Sequence, residues 1–218
     1  MESRHHNLKT RQRRERHGYP DNLSLRVHGA LSWLDRAEQE ADRDSRFIFL
    51  WIAFNAAYAT EIDDRHGLNE RTTFNGFLQT LWDLDRQKRL DELVWSAYSG
   101  AIRVLLDNPY VFRCFWEHQK GNLTKDHWKQ SFERAKKAVN AALAKQNTPT
   151  VLAIVFSRIY TLRNQIIHGG ATWGGSVNRQ QIRDCVAILN DLVPTVIEIM
   201  MDNPGALWGE ASYPVVRS

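Results

Sequence analysis

The chain has 218 residues and a mass of 25.3 kDa, a length typical of one large domain. Hydrophobic residues make up 43% of it and charged residues 25%, an ordinary balance that excludes collagen-like, fibrous and wholly disordered chains. Its two cysteines are too few for a disulfide framework or a four-cysteine zinc site. We therefore expect one core-forming domain over residues 20–218.

The net charge of +4 comes from residues 1–17. This stretch holds six cations against two glutamates, and the rest of the chain carries equal numbers of basic and acidic side chains. Because residues 1–19 lack apolar periodicity, they predict a basic, flexible N-terminal tail, which either aids solubility or binds nucleic acid as an arm. The candidates for RNA binding in this tail are Arg11, Arg13, Arg14 and Arg16.

The most apolar run, residues 47–54, continues to Ala59. It is shorter than the roughly 20 residues that a membrane-spanning helix needs, so it predicts a buried central helix around Trp51. No apolar signal region opens the chain, and we expect a cytoplasmic protein that does not contact a membrane.

Apolar residues recur at three-and-four spacing along most of the chain, which is typical of amphipathic helices. In chain order, the first three predicted helices begin after Pro20, near Asp44 or Ser45, and near Glu70. Two further helices are predicted over residues 90–98 and 125–145, and the last two begin at Thr148 and near Arg179. No alternating strand pattern flanks a turn signal, and no repeat of fixed period occurs. The predicted fold class is all-α, a helical bundle with additional helices.

The segment that points to chemistry is Leu-Arg-Asn-Gln-Ile-Ile-His-Gly-Gly, residues 162–170. It places Arg163 and Asn164 shortly before His168, at the end of the helix that begins at Thr148, with two glycines after the histidine. The sequence contains no phosphate-binding glycine loop, no His-Glu-x-x-His and no nucleophile elbow. We therefore expect neither a cofactor nor a metal.

This segment resembles the signature of the HEPN superfamily (higher eukaryotes and prokaryotes nucleotide-binding). The signature is an arginine, usually followed by a polar residue, then a histidine after four to six residues. The chain matches that spacing three times, from Arg11, from Arg113 and from Arg163, but only the match at Arg163 has a polar amide next to it and a core helix before it. The resemblance implies an all-α domain that cleaves RNA as a dimer without a metal.

The residue types suit that chemistry. Histidine titrates near neutral pH and acts as base or acid, while the planar, always charged fork of arginine matches phosphate oxygens. Asn164 is expected to orient either the phosphate or His168. Because His168 lies five positions after Arg163, the two side chains diverge by about 140° around a regular helix. A twofold dimer brings both copies of each residue around one cleft, so we expect a composite site.

Alternatives remain beside each of these assignments. The arginine and histidine of the motif also suit a purely structural role, since both residue types occur at helix C-termini as caps. Trp173, in the glycine-rich loop after the motif, either stacks on an RNA base or belongs to a plain connector.

The predicted function is therefore a metal-independent endoribonuclease with Arg163, Asn164 and His168 as catalytic residues. The alternative is a non-catalytic helical module that binds a nucleotide, RNA or a protein. RNA and a second copy of the chain are the expected partners. A role as a toxin or in phage defence, and with it an antitoxin partner, is implied by the resemblance alone.

Overall fold

A computed structural model of the chain describes residues 3–58, 67–176 and 178–208. These residues form ten α-helices, three short 3-10 or π-helical turns and no β-strand, which confirms the predicted all-α class. The helices are α1 (Arg4–Glu15), α2 (Asp21–Glu38), α3 (Arg43–Tyr58), α4 (Gly67–Leu84), α5 (Arg89–Glu92), α6 (Ser99–Leu106), α7 (Arg113–Gln119), α8 (Lys125–Ala144), α9 (Thr148–Ile167) and α10 (Arg179–Asp202).

The chain divides into two compact units where the sequence predicts one domain. The first comprises Met1–Arg89 and Val186–Ser218, and the second comprises Leu90–Cys185. In the first unit, α2 and α3 pack against each other, and their contacting faces bury Leu31, Phe47 and Phe54. The apolar run around Trp51 thus forms the buried helix that its composition predicts.

The first residues of the chain differ from the flexible tail that the sequence predicts, because residues 4–15 form helix α1. The Ser3 side chain caps this helix by accepting a hydrogen bond from the His6 amide, and Leu8 and Gln12 are buried against the first unit. Arg11 donates to Asp202 at 2.7 Å. The sequence did not predict this helix for two reasons. A single buried leucine gives no periodic apolar pattern, and the carboxylate that holds the helix, Asp202, lies far along the chain.

In the second unit, α6 and α8 both pack against α9. A π-helical turn, Leu93–Ala97, precedes α6, and Trp95 of this turn donates from Nε1 to the Thr148 hydroxyl at 2.8 Å. Thr148, fully buried, donates in turn to the Asp91 carboxylate. These bonds fix the start of α9, the helix that carries the motif.

Candidate functional site

Helix α9 is bounded by residues suited to its two ends. Asn147, one residue before the expected Thr148, is the N-cap and accepts from the Thr150 amide at 3.0 Å, and Pro149 lies in the first turn, where it costs no hydrogen bond. The helix ends at Ile167, and Gly169 follows with a φ of +70°, a value that glycine adopts at little cost. The predicted end of the helix at the two glycines is confirmed.

Arg163 and Asn164 interact directly on the last turns of α9. Both side chains are half-buried, and Arg163 Nη1 donates to Asn164 Oδ1 at 2.8 Å. The Arg163 guanidinium carbon also lies 5.4 Å from the centre of the Tyr160 ring, within the range of a cation–π contact. Asn164 therefore orients the arginine, a role that the sequence did not suggest.

His168 caps the C-terminus of α9 and is exposed. Its backbone amide donates to the carbonyl oxygen of Asn164 at 3.0 Å. Within the described residues, no hydrogen bond joins its ring to Arg163 or Asn164. The motif residues therefore share one helix end, but the histidine ring and the guanidinium do not meet within one chain, as the helical geometry predicts.

The loop after His168 presents Trp173 to solvent, with 77% of its surface exposed. Gly174 follows with a φ of +66°, and a Cβ on Gly175 would lie 2.4 Å from the Thr172 hydroxyl oxygen. The loop therefore needs glycine at both positions to keep its conformation. An exposed indole beside the motif suits base stacking, although its partner stays a prediction.

Gln165, inside the motif, links α9 to a groove that the sequence did not reveal. Its Nε2 donates to the carbonyl oxygen of Tyr110 at 2.8 Å, and its Oε1 accepts from Asn178 at 2.7 Å. An open groove of about 580 Å³ has seven lining residues: Val104, Asp107, Asn108, Pro109, Tyr110, Asn178 and Gln181. The polar glutamine in the motif was the one sequence signal for this contact.

Arg158, one turn and a half before Arg163, is buried, with 3% of its surface exposed. Its guanidinium carbon lies 4.6 Å from the centre of the Phe112 ring, and no carboxylate of the described residues pairs with it. Burial lowers the pKa of Arg158 to about 10, against a smaller opposing effect of the Cys114 thiol. The residue remains a cation at neutral pH and packs α9 against the segment around Phe112.

The other match in this unit, from Arg113 to His118, has a different environment. The His118 ring is half-buried and stacks on Trp128 at 6.2 Å, and its Nδ1 lies 2.8 Å from the carbonyl oxygen of Leu123. The His118 ring is therefore less accessible to a substrate than the exposed ring of His168. The exposed His168 is the better candidate of the two.

The four arginines predicted to bind RNA through the N-terminal segment fall into two classes. Arg11 donates to Glu15 at 2.8 Å as well as to Asp202, and Arg14 donates to Glu15 at 2.8 Å. Burial alone would lower the pKa of Arg11, but its bonds to the two carboxylates raise it above its ordinary value. Arg13 and Arg16 are exposed, and no described carboxylate pairs with either.

Comparison of the chain with protein-family models, with curated proteins and with solved structures gave no significant match. Among the described residues, no three histidine, cysteine or acidic side chains cluster closely enough to hold a metal ion. In the same part of the chain, no helix combines the length and apolar character of a membrane span. The proposals below rest on the residues of this chain and on the resemblance of its motif.

Proposed function

We propose that the protein is a HEPN-like endoribonuclease that cleaves RNA without a metal, with Arg163, Asn164 and His168 as its catalytic residues. The observation that supports this most strongly is the oriented Arg163–Asn164 pair next to an exposed histidine at one helix end. The Asn164 amide fixes the direction of the guanidinium fork, and a planar fork of donors matches phosphate oxygens.

The proposed reaction is attack of a ribose 2′-oxygen on the adjacent phosphorus. The new P–O bond forms while the bond to the 5′-oxygen breaks, which gives a 2′,3′-cyclic phosphate and a 5′-hydroxyl. The His168 ring accepts the proton of the 2′-hydroxyl and passes it to the leaving 5′-oxygen, so that one histidine serves first as base and then as acid. Arg163 stabilises the charge that builds up on the phosphate oxygens in the transition state.

The proposed site takes residues from two copies of the chain. Tyr160 and Ile167 are exposed by 45% and 49% of their surface. They share a stripe of α9 with Arg163, three residues before it and four residues after it. Exposed apolar side chains beside a catalytic cation suit an isologous contact between two α9 helices. Sedimentation analysis is expected to give about twice 25.3 kDa for the wild type and the monomer mass for Ile167→Asp.

The test of cleavage uses mixed RNA in EDTA. Wild-type protein is expected to cut RNA but not the matched DNA, since DNA has no 2′-hydroxyl. His168→Ala is expected to lose on the order of 10²- to 10⁴-fold in rate. His127→Ala, at a second exposed histidine of the same unit, is the matched control and keeps the wild-type rate.

The alternative function is a non-catalytic module of the same type, which binds a nucleotide, RNA or a protein. RNA binding by a chain that leaves RNA intact in EDTA and with added divalent metals would favour it. A role as a toxin in phage defence, with an antitoxin partner, is the biological setting that the resemblance implies. Growth arrest on expression of the wild type but not of His168→Ala would support that setting.

A further inference from the structure

Helix α1 carries a line of cations on one face. Half-buried Lys9 and exposed Arg13 of α1 are followed by exposed Arg16, the C-cap residue, whose backbone is still helical. Their spacings of four and three residues point the side chains the same way over about 10 Å. We call these three residues the α1 stripe. Exposed His28 of α2 lies alongside, with its Nδ1 3.4 Å from Lys9 Nζ.

The α1 stripe has no acidic partner among the described residues, unlike the other basic residues of the helix. Arg4 contacts Asp191 at 3.3 Å, and Arg11 and Arg14 contact the carboxylates described above. The pKa of Lys9 is lowered by burial first and then by repulsion from Arg13 and Arg16, with a partial offset from Asp35. Like charges at these spacings destabilise a helix, so the stripe lowers the stability of α1.

The helix is nevertheless fixed in place. Leu8 and Gln12 are each only 4% exposed, the His5 amide donates to Glu38 at 2.9 Å, and Asp202 holds Arg11 at 2.7 Å. These contacts anchor α1, and the neighbouring face of the helix, which carries the α1 stripe, stays positive. A row of cations on a rigid support needs little ordering when it binds an anion.

We propose that the α1 stripe binds the phosphate backbone of RNA through Lys9, Arg13 and Arg16. The inference rests on the proposed RNA substrate but not on the proposed catalysis. Contacts with nucleic acid are polar and strongly positive, whereas contacts between proteins are depleted in lysine at an apolar core. The only aliphatic residue of α1 is the buried Leu8, so this face offers a protein partner no apolar contact.

The inference also changes the set of residues that the sequence suggested. Of the four arginines predicted to bind RNA, Arg13 and Arg16 remain in the α1 stripe, while Arg11 and Arg14 pair with carboxylates. Lys9 takes their place, a residue that no motif singled out. The contact is with the backbone, so we expect it to favour no base sequence.

The experiment measures binding of a fluorescent single-stranded RNA by anisotropy over a salt series, in the His168→Ala background so that the RNA stays intact. The test variant is Lys9→Gln/Arg13→Gln/Arg16→Gln. The matched control removes the same charge from exposed cations of α8, as Lys129→Gln/Arg134→Gln/Lys137→Gln. Equal thermal midpoints of the two variants establish that both are folded.

The test variant is expected to bind roughly 10- to 100-fold more weakly at low salt. Its slope of log affinity against log salt is expected to fall by about 2, for three phosphate contacts on a single strand. The control should keep the wild-type slope. Equal losses in the two variants would overturn the inference, because net charge would then explain them. The inference would also be overturned if the test variant bound RNA like the wild type but lost its affinity for polyglutamate, because the stripe would then bind an acidic polypeptide.

A second readout separates this inference from the proposed function. With an active His168, cleavage of a dinucleoside monophosphate, whose single phosphate is taken up by the catalytic site, should be equal in the wild type and the test variant. Cleavage of long RNA should fall in the test variant at low substrate concentration. Binding that depends on the stripe without any cleavage would leave the inference standing and refute the catalytic proposal. Cleavage without that dependence would do the reverse.

Discussion

Helices α1 and α9 use their arginines in different ways. On α1, Arg11 forms ion pairs with Glu15 and Asp202, and the pair with Asp202 anchors the helix. On α9, Arg158 is buried over an aromatic ring and Arg163 is oriented by the amide of Asn164. In these two helices, the partner of an arginine side chain indicates its role better than its solvent exposure does.

A carboxylate partner neutralises an arginine and turns it into a structural link, whereas an amide partner gives direction without neutralising charge. The α1 stripe reaches the same result differently, because its cations project from a helix that other residues hold. Both arrangements hold a basic side chain in a fixed direction.

The largest effect is expected at Arg163. Arg163→Ala should lower the single-turnover rate of RNA cleavage in EDTA by on the order of 10²- to 10³-fold, as the loss of one transition-state donor does elsewhere. Arg163→Lys should recover only part of this, since lysine keeps the charge but not the planar fork. Arg113→Ala, at the other arginine of this unit with a histidine at the same spacing, is the control. A wild-type rate for Arg163→Ala would remove Arg163 from the mechanism.

The sequence predicted α9 closely because the signals for that helix are local. A threonine–proline start, a three-and-four apolar pattern and two terminal glycines lie within the element itself, and the structure places the helix at Thr148–Ile167. The position of the motif at its end follows from the same signals. The orientation of Arg163 by Asn164 depends on side-chain rotamers, which spacing alone does not determine.

The features that the sequence did not predict depend on distant residues. Helix α1 is fixed by Asp202, nearly at the other end of the described chain, so residues 1–19 by themselves resemble a solvated tail. Arg158 was not singled out because an arginine in a helix is usually exposed, and only the packing around Phe112 shows its burial. The catalytic roles of Arg163, Asn164 and His168 remain predictions.

The next effect concerns the anchor of α1. Leu8→Ala removes the buried leucine of this helix and should destabilise its docking by about 2–3 kcal/mol, near the lower end for a buried leucine. Hydrogen exchange of the α1 amides should accelerate, while the α9 amides keep the wild-type rates. Thr10→Ala, at an exposed position of the same helix, should leave exchange unchanged. Equal protection in the two variants would mean that Leu8 does not hold α1.

A smaller effect is expected at Trp173. If a base stacks on this exposed indole, Trp173→Ala should weaken RNA binding by about 1–3 kcal/mol, and Trp173→Phe should retain most of the affinity. Anisotropy with the same RNA and the inactive His168→Ala chain measures both. Unchanged affinity in Trp173→Ala would assign the loop to a connector.

The smallest effect is the pH dependence that Glu15 contributes. Burial would raise the pKa of Glu15, but hydrogen bonds from Arg14, Arg11 and Tyr19 outweigh it and hold the pKa below the ordinary 4.5. The carboxylate therefore adds stability above the pKa of the unfolded chain, and this is lost as the pH falls through the lower, folded pKa. Urea unfolding should show that Glu15→Gln costs up to about 1 kcal/mol at neutral pH and less at about pH 3. A cost that does not change with pH would contradict the pairing.

The most direct test of the composite site is a mixture of two inactive chains, Arg163→Ala and His168→Ala, assayed for RNA cleavage in EDTA. In a mixed dimer, one chain supplies the arginine and its partner supplies the histidine to the same cleft. We predict that the mixture regains a substantial fraction of wild-type cleavage, far above either variant alone. Two results together would show that each chain works by itself. The mixture would be as inactive as its components, and wild-type chains would stay active when mixed with the double variant Arg163→Ala/His168→Ala.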